Sequence, residues 1–224
     1  MRSGKQPPNK RTPFSLRKFL TALAALAFLA PQGLLFGESP LVELVNVDPR
    51  IRVEVRYATA DNFMKEQLYP VARCFLRREV AERLSRVQNA LAEKDLGLKV
   101  FDGYRPLSVQ KKMWAKFPKE GYVANPAKGS NHNRGAAVDV TLVDAAGREL
   151  PMPSAYDEFS ERAHRDYAGG TDEERANRAT LEAAMQAEGF AGLRTEWWHF
   201  DAPGARDYPV LDLPLDPPAA AAEA

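Results

Sequence analysis

The chain shows its clearest periodicity of apolar positions directly after residue 77. Four apolar residues recur at steps of four, three and four: Val80, Leu84, Val87 and Leu91. This spacing places them on one face of an amphipathic helix. The pattern therefore predicts a helix over residues 78–95 that ends near Gly97.

Two further segments carry helical patterns. Residues 108–117 predict a second helix, which turns three large side chains inward: Met113, Trp114 and Phe117. Thr171 is followed three residues later by Glu174, which is the spacing of a capping box. The box predicts that a helix begins there, extends to about residue 188 and ends at Gly189.

Strand patterns occur before, between and after the predicted helices. The predicted strands are 51–55, 98–101, 136–143 and 193–200. The first alternates apolar and charged side chains, as in a half-buried strand, whereas the third is almost continuously apolar and reads as buried. A turn at 144–147 is expected to return the chain as a hairpin through 148–150.

The order of these elements lacks the regular strand–helix alternation of a parallel α/β fold. It predicts one α+β domain over residues 38–210, with a small, mainly antiparallel sheet flanked by helices. Residues 211–224 are rich in proline and alanine, so they are predicted to form a disordered tail.

Charge is distributed unevenly along the chain. In total, 31 Lys and Arg residues oppose 30 Asp and Glu residues, for a net charge of +1. The first 36 residues contain six of the basic residues and no acidic one, which leaves 25 basic against 30 acidic residues for the rest. An acidic main part lacks the basic surface that a phosphate backbone requires, so nucleic-acid binding is not expected.

The basic N-terminal residues precede an apolar run at 19–30 and then Pro31 and Gly33. A secretory signal has the same order of basic stretch, short apolar run and helix breaker. Residues 1–37 are therefore predicted to be a cleaved signal or an N-terminal anchor, with the remainder exported, in the periplasm. A buried N-terminal helix is the alternative. Contact with a membrane is expected only if the segment stays uncleaved.

Few side chains in the sequence can bind a metal through nitrogen or sulfur. One cysteine and three histidines are present, so a metal would need His and carboxylate ligands. His132 lies in a polar, glycine-bounded loop that leads into the apolar strand containing Asp139, and His199 follows Glu196 in an aromatic run. Two imidazoles and a carboxylate are a common zinc set that leaves a fourth position for water, from which Glu196 could take a proton.

Each of these residues also has a purely structural interpretation. His132 could be an ordinary loop residue, Asp139 could pair with Arg134 or Arg105, and Glu196 could form a surface pair with His199. Side chains alternate between the two faces of a strand, which adds a constraint. Glu196 and His199 are three residues apart, so they point to opposite faces of a regular strand. They can share a site only where the strand bends, bulges or ends.

Arg105 follows a predicted tight turn, Asp102-Gly103, at the end of a strand. Its guanidinium could donate hydrogen bonds to a carbonyl oxygen on which negative charge develops during a reaction. It could equally be a structural arginine that bridges Asp102 or a C-terminal carbonyl. The local sequence leaves both alternatives open.

Three separated motifs occur in one order along the chain. They are Asp102-Gly-Tyr-Arg-Pro106, Ser130-x-His132-x-x-Gly135-x-Ala137-x-Asp139 and Glu196-Trp-Trp-His199. This set resembles the zinc D-alanyl-D-alanine dipeptidases, the family that includes the vancomycin-resistance dipeptidase. Segments 56–63 and 156–164 are also family-like, so the resemblance runs from about residue 50 to residue 200. Several motifs in one order are more specific than any one of them.

The resemblance implies one zinc ion per chain, bound by three ligands: His132, Asp139 and His199. It also implies that Glu196 acts as general base and acid and that Arg105 stabilises the tetrahedral intermediate. Three further residues would hold the charged ends of the substrate: Asp157 the ammonium, and Ser130 and Tyr57 the carboxylate. Recognition of both ends would reject longer peptides, because buried charges would be left unpaired.

The predicted function is hydrolysis of D-Ala-D-Ala to two D-alanines. An exported enzyme would meet dipeptide released from the cell wall, so turnover is favoured over antibiotic resistance. The nearest alternative is a D,D-carboxypeptidase or peptidoglycan endopeptidase with the same metal core. A non-catalytic binding module is a further alternative, although it would not need Glu196. A small dipeptide is the expected partner, and no stable protein partner is implied.

Overall fold

The computed structural model describes residues 39–216, so the segment predicted as a signal or anchor, 1–37, lies outside the described residues. The elements follow in this order: strands β1 (Val42–Glu43), β2 (Arg52–Val53) and β3 (Phe75–Leu76), helix α1 (Arg78–Ala92), strand β4 (Leu96–Asp102), helix α2 (Leu107–Lys116), strand β5 (Ala137–Asp144), helix α3 (Asp172–Ala187), and strands β6 (Ala191–Leu193) and β7 (Glu196–Asp201). Across this part of the chain, none of the helices has the length and apolar character needed to span a membrane.

Five strands form the main sheet, in the order β2-β4-β5-β7-β6. Strand β2 pairs in parallel with β4, and every other pair in this sheet is antiparallel. Strands β1 and β3 form a separate antiparallel pair. The predicted α+β class with a mainly antiparallel sheet is confirmed.

The sheet has one strongly apolar face because β4, β5 and β7 bring apolar residues opposite one another. Val100 lies opposite Val140, and Val138 lies opposite Phe200. Helix α1 packs against β4 and α3, and α3 packs against β5, β6 and β7. Since side chains alternate between the two faces of a strand, Asp139 points away from Val138 and Val140. The polar residues of the central strands are thus left on one face.

The helices follow their sequence patterns closely. All four apolar residues of the α1 repeat are buried, but α1 ends at Ala92 because the chain turns through Asp95, whose φ is +58°, into β4. The capping box of α3 is formed: the Thr171 side chain accepts from the Glu174 amide, and the Glu174 carboxylate accepts from the Thr171 amide. In α2, Met113 is fully buried, while Trp114 is only partly buried.

Two strand predictions are wrong in detail. The single strand predicted over 193–200 is a hairpin, because a turn at residues 194–195 separates β6 from β7. The predicted return through 148–150 is reduced to one isolated bridge between Val143 and Glu149. In 193–200, apolar residues lie on both sides of the turn, so their pattern does not mark the interruption.

The tail predicted from residue 211 begins with residues that contact the domain. The Leu213 amide donates to the Tyr104 hydroxyl at 2.7 Å, and the Ser108 amide donates to Asp212 Oδ1 at 2.8 Å. Leu215 is buried. Proline-rich composition predicted disorder here, but Leu215 belongs to the hydrophobic core and Leu211 packs against it. Residues 217–224 lie outside the described part of the chain.

Candidate metal centre

The central strands align polar side chains in one row across the sheet. Asp102, the last residue of β4, lies opposite Asp139 in β5, and Asp139 lies opposite His199 in β7. Side chains in such positions are neighbours on one face. His132 joins them from a short 3-10 turn that ends at Gly135, whose φ is +68°. A side chain at 135 would collide with Leu41, so glycine is required there.

The three predicted ligands lie together and are buried. One ligand atom from each of His132, Asp139 and His199 lies within 4.8 Å of the others. His132 Nε2 is 3.1 Å from His199 Nδ1, and Asp139 Oδ1 is 3.0 Å from His199 Nδ1 and 3.3 Å from His132 Nε2.

Each of the two imidazoles is also held by the ring nitrogen that points away from the cluster. His132 Nδ1 donates to the Gly103 carbonyl at 2.7 Å, and His199 Nε2 donates to Asp201 Oδ1 at 3.1 Å. The Gly103 carbonyl can only accept, which assigns the proton to the outer nitrogen of His132. An ionised Asp201 can also only accept, so it assigns the proton of His199 to Nε2. The inner nitrogens therefore present lone pairs.

These contacts test whether the cluster fits a cation. Two lone-pair nitrogens and a carboxylate oxygen converge on one point, so a proton or a metal ion must neutralise them. Burial alone would lower the pKa of His199, but hydrogen bonds to Asp139 and Asp201 raise it to about 10. Burial would raise the pKa of Asp139, but the two histidines hold it well below its usual value. The cluster thus attracts positive charge, and its nitrogen and oxygen donors suit zinc.

Glu196 reaches the cluster because β7 begins with an irregularity. Gly192 lies opposite Phe200, but the next residue of β6, Leu193, lies opposite Glu196. Glu196 and His199 can share a site only where the strand is irregular, and this shift in pairing is such an irregularity. Glu196 Oε2 lies 4.0 Å from His199 Nδ1. Burial, with the charge of Asp139, raises the pKa of Glu196 to about 8 even though His199 acts in the opposite direction.

Among the described residues, Arg105 has hydrogen-bond partners on one side of its guanidinium only. Its Nε and Nη2 donate to Asp102 Oδ2 at 3.1 and 2.7 Å, and its Nη1 donates to Gln110 Oε1 at 2.9 Å. The guanidinium also lies over the ring of Tyr57, 5.0 Å from its centroid. Three of its five N–H groups are used in these bonds. Arg105 also lines a cavity beside the cluster. Arg105 bridges Asp102 and still has N–H groups that could donate to a substrate, so the two alternatives from the sequence do not exclude each other.

A cavity of about 480 Å³ lies beside the cluster. Its wall includes all eight residues that the sequence analysis assigned to metal binding, catalysis or substrate binding. At one place in its wall, Asp157 accepts hydrogen bonds from the Tyr57 hydroxyl at 3.2 Å and from the Phe63 amide at 3.3 Å. Burial and the charge of Asp139 raise the pKa of Asp157 to about 7. A buried carboxyl with this pKa gains from a cationic partner.

The resemblance assigns Ser130 and Tyr57 to the carboxylate of the substrate, and in the structure each hydroxyl has a partner within the protein. Ser130 Oγ accepts from the His132 amide at 3.2 Å, so it supports the turn that carries His132. Tyr57 bonds Asp157, the residue expected at the opposite end of the substrate. The roles of both in binding a carboxylate stay predictions.

Three residues at the centre were not identified from the sequence. Asp201 follows His199 by two residues on the same strand face, so the alternation could have indicated it. Gln110 and Tyr156 bond Arg105 and Asp139, respectively. Tyr156 lies in the family-like segment 156–164, but neither that segment nor the local pattern at Gln110 indicated these contacts.

A buried His, Asp and His cluster beside a glutamate in a cavity is an arrangement typical of metal-dependent hydrolases. The family model described as D-ala-D-ala dipeptidase matches residues 38–214. The chain belongs to this family of peptidases, and the family prediction is confirmed.

Individual relatives agree. The D-alanyl-D-alanine dipeptidase of Escherichia coli (strain K12) is 37% identical over 171 residues, which cover 76% of this chain and 89% of the relative. The D-alanyl-D-alanine dipeptidase of Enterococcus faecium is 33% identical over 189 residues, covering 74% and 93%. A solved vancomycin-resistance D,D-dipeptidase, in complex with a D-Ala-D-Ala phosphinate analogue, is 18% identical, with a TM-score of 0.31 and coverage of 75% of this chain and 69% of that chain. That score is too low to carry an argument. The predicted class of enzyme, a dipeptidase and metallopeptidase, is confirmed by the family.

Proposed function

We propose that this protein is a zinc-dependent dipeptidase that hydrolyses D-Ala-D-Ala to two D-alanines. The observation that carries the proposal is the convergence of acceptor atoms from His132, Asp139 and His199 beside Glu196. Family membership supports the substrate, and the mixed nitrogen and oxygen donors support zinc over magnesium or calcium, which prefer oxygen. Bound zinc would polarise the scissile carbonyl and make water easier to deprotonate.

Glu196 is the residue that would move the proton. A carboxylate next to a cation accepts a proton from the attacking water near neutral pH. Burial favours the neutral acid that results, as the raised pKa of Glu196 indicates. Glu196 can then donate this proton to the leaving amine, which completes the transfer.

Arg105 would stabilise negative charge on the carbonyl oxygen. Its two remaining N–H groups are donors, and the bonds to Asp102 and Gln110 hold the guanidinium in place before the reaction begins. Such preorganised donors need little rearrangement when charge develops.

Asp157 would accept the ammonium group of the dipeptide, and Ser130 and Tyr57 would bind its carboxylate. The ammonium would lower the pKa of Asp157 and favour the carboxylate. A longer peptide has no ammonium at this position, so the buried carboxyl would lose its partner.

The proposal includes export and a role in turnover of cell-wall dipeptides. The basic N-terminal stretch followed by the apolar run at 19–30 supports export. Cell fractionation tests this part: active protein in the periplasm is expected. Active protein found in the cytoplasm with residues 1–37 attached would favour a resistance role instead.

The substitution Glu196→Gln tests the mechanism, because it keeps the size of the side chain and removes the proton acceptor. We expect wild-type zinc content and a fall in D-Ala-D-Ala hydrolysis of about 10³-fold or more. Zinc content and D-alanine release are measured on the same preparation. The matched control is Glu93→Gln, at an exposed position just after α1, which is expected to leave both unchanged.

Three outcomes would contradict the proposal. Hydrolysis retained in Glu196→Gln would remove Glu196 from the mechanism. Full activity of wild-type protein free of metal would exclude the zinc-dependent function. Preferential cleavage of a pentapeptide stem over free D-Ala-D-Ala would favour the carboxypeptidase or endopeptidase alternative.

A further inference from the structure

The two oxygens of Asp139 have different kinds of partner. Oδ1 faces the two imidazoles, 3.0 Å from His199 Nδ1 and 3.3 Å from His132 Nε2. Oδ2 accepts a hydrogen bond from the Tyr156 hydroxyl at 3.0 Å. The carboxylate is therefore divided into an inner oxygen that points to the proposed metal position and an outer oxygen that is held by a tyrosine.

We infer that Tyr156 is a positioning residue that limits Asp139 to one metal-binding oxygen. A carboxylate can bind a metal through one oxygen or through both, and rotation about its last bond interconverts the two modes. A hydrogen bond to Oδ2 opposes that rotation. This inference rests on the metal-dependent function proposed above.

The same principle holds for the other two ligands. The Gly103 carbonyl holds His132 from outside, and Asp201 holds His199. Tyr156 thus completes a set in which each of the three ligands has its outer atom bonded. Outer partners of this kind tune metal affinity, and their loss typically costs about 10- to 100-fold.

Tyr156 is itself rigidly placed. Its ring contacts Phe101 and Trp198, with centroid distances of 4.7 and 5.4 Å, and lies 6.3 Å from the ring of Tyr57. The next residue, Asp157, has a φ of +61°, a left-handed conformation that non-glycine residues seldom adopt. This conformation lets two consecutive residues serve different places. The Tyr156 side chain contacts a predicted metal ligand, and the Asp157 side chain lines the cavity.

The test is Tyr156→Phe, which removes only the hydroxyl and keeps the ring. We expect the Kd for zinc, measured by competition with a chelator, to rise about tenfold or more. Cobalt-substituted protein is expected to absorb visible light more weakly, because a second oxygen from Asp139 would raise the coordination number. The Tm of the metal-free protein should change by no more than a few degrees.

The matched control is Tyr57→Phe, whose hydroxyl bonds Asp157 and not a predicted ligand. It is expected to keep the wild-type Kd for zinc and the wild-type cobalt spectrum while raising the KM for the dipeptide. The cobalt spectrum is recorded on fully loaded protein, so it reports ligand geometry even if Tyr156→Phe is less stable.

The outcomes separate this inference from the proposed function. If Tyr156→Phe keeps the wild-type Kd and cobalt spectrum, Tyr156 only packs, and the inference fails while the proposed function stands. Equal changes in both tyrosine variants would indicate general loosening of the aromatic cluster and would also overturn it. If wild-type protein binds no zinc, both proposals fail.

Discussion

The ligand side and the substrate side of the cavity are built differently. On the ligand side, Asp139 and His199 lie opposite one another on paired strands, in a sheet whose backbone bonds set their positions. On the substrate side, Tyr57 lies in a 3-10 turn, and Asp157 lies in an irregular segment with a positive φ. Ser130 belongs to the loop before β5.

This difference indicates what each side depends on. Many ladder hydrogen bonds share the task of aligning Asp139 and His199, while His132 is contributed by a 3-10 turn before β5. Loss of one outer contact of a strand ligand should therefore adjust the metal site and not abolish it. The position of Asp157 depends on a few bonds, chiefly those from the Tyr57 hydroxyl and the Phe63 amide. We therefore expect the two sides to be separable by mutation.

The largest effect is expected from removal of a ligand. Asp139→Ala should abolish tight zinc binding and reduce hydrolysis by more than about 10³-fold, because two imidazoles alone leave the ion incompletely held. Metal content and D-alanine release measure this. Asp144→Ala, at the other end of β5, removes an exposed pair with Arg148 and serves as the control with near-normal activity. Wild-type zinc content in Asp139→Ala would refute the ligand assignment.

Asp157→Asn should separate the two sides most clearly. The variant keeps the shape of the side chain but cannot pair fully with an ammonium, so kcat/KM should fall by about 10²- to 10³-fold. Zinc affinity should stay at the wild-type value. A loss of zinc in this variant would show that the two sides are coupled.

The same variant has a pH-dependent effect on stability. The pKa of Asp157 is raised to about 7 from an ordinary value of 3.8, so the unfolded chain ionises first and the folded state becomes less stable as pH rises through this window. Asp157→Asn removes that cost. Its gain in Tm over wild type should be larger at pH 8 than at pH 5. An equal gain at both pH values would contradict the buried position of this charge.

A smaller effect is expected at the outer partner of His199. Asp201→Asn keeps an acceptor for His199 Nε2 but removes the negative charge, so the Kd for zinc should rise about tenfold. Competition with a chelator measures it. Unchanged affinity would mean that the sheet alone orients His199.

The smallest effect should come from a residue on neither side. Thr171→Ala removes the side-chain half of the α3 capping box and should lower the free energy of unfolding by about 1 kcal/mol. Urea denaturation measures this, and kcat and zinc affinity should not change. A change in either would show that α3 transmits strain to the sheet.

Much of the fold follows from local patterns. The repeat of four apolar residues in α1 and the capping box of α3 are contained within a few turns of chain, so the sequence alone predicts these helices. Interruptions were harder to predict. The break between β6 and β7 occurs where the chain turns at residues 194–195, and the contacts of Leu213 and Leu215 depend on a surface formed by distant residues.

The amino-acid sequence is enough to indicate the metal-binding residues, because histidines are few and His132, Asp139 and His199 stand in recognisable motifs. How these residues are used depends on contacts that form only in the folded chain. Glu196 can approach His199 because the pairing of β6 and β7 shifts at Leu193, and a shift in register is not encoded by alternation. The bond from Tyr156 to Asp139 joins residues 17 apart through an irregular segment. Local patterns report which face a residue occupies, whereas contacts between distant segments depend on how the whole sheet is assembled.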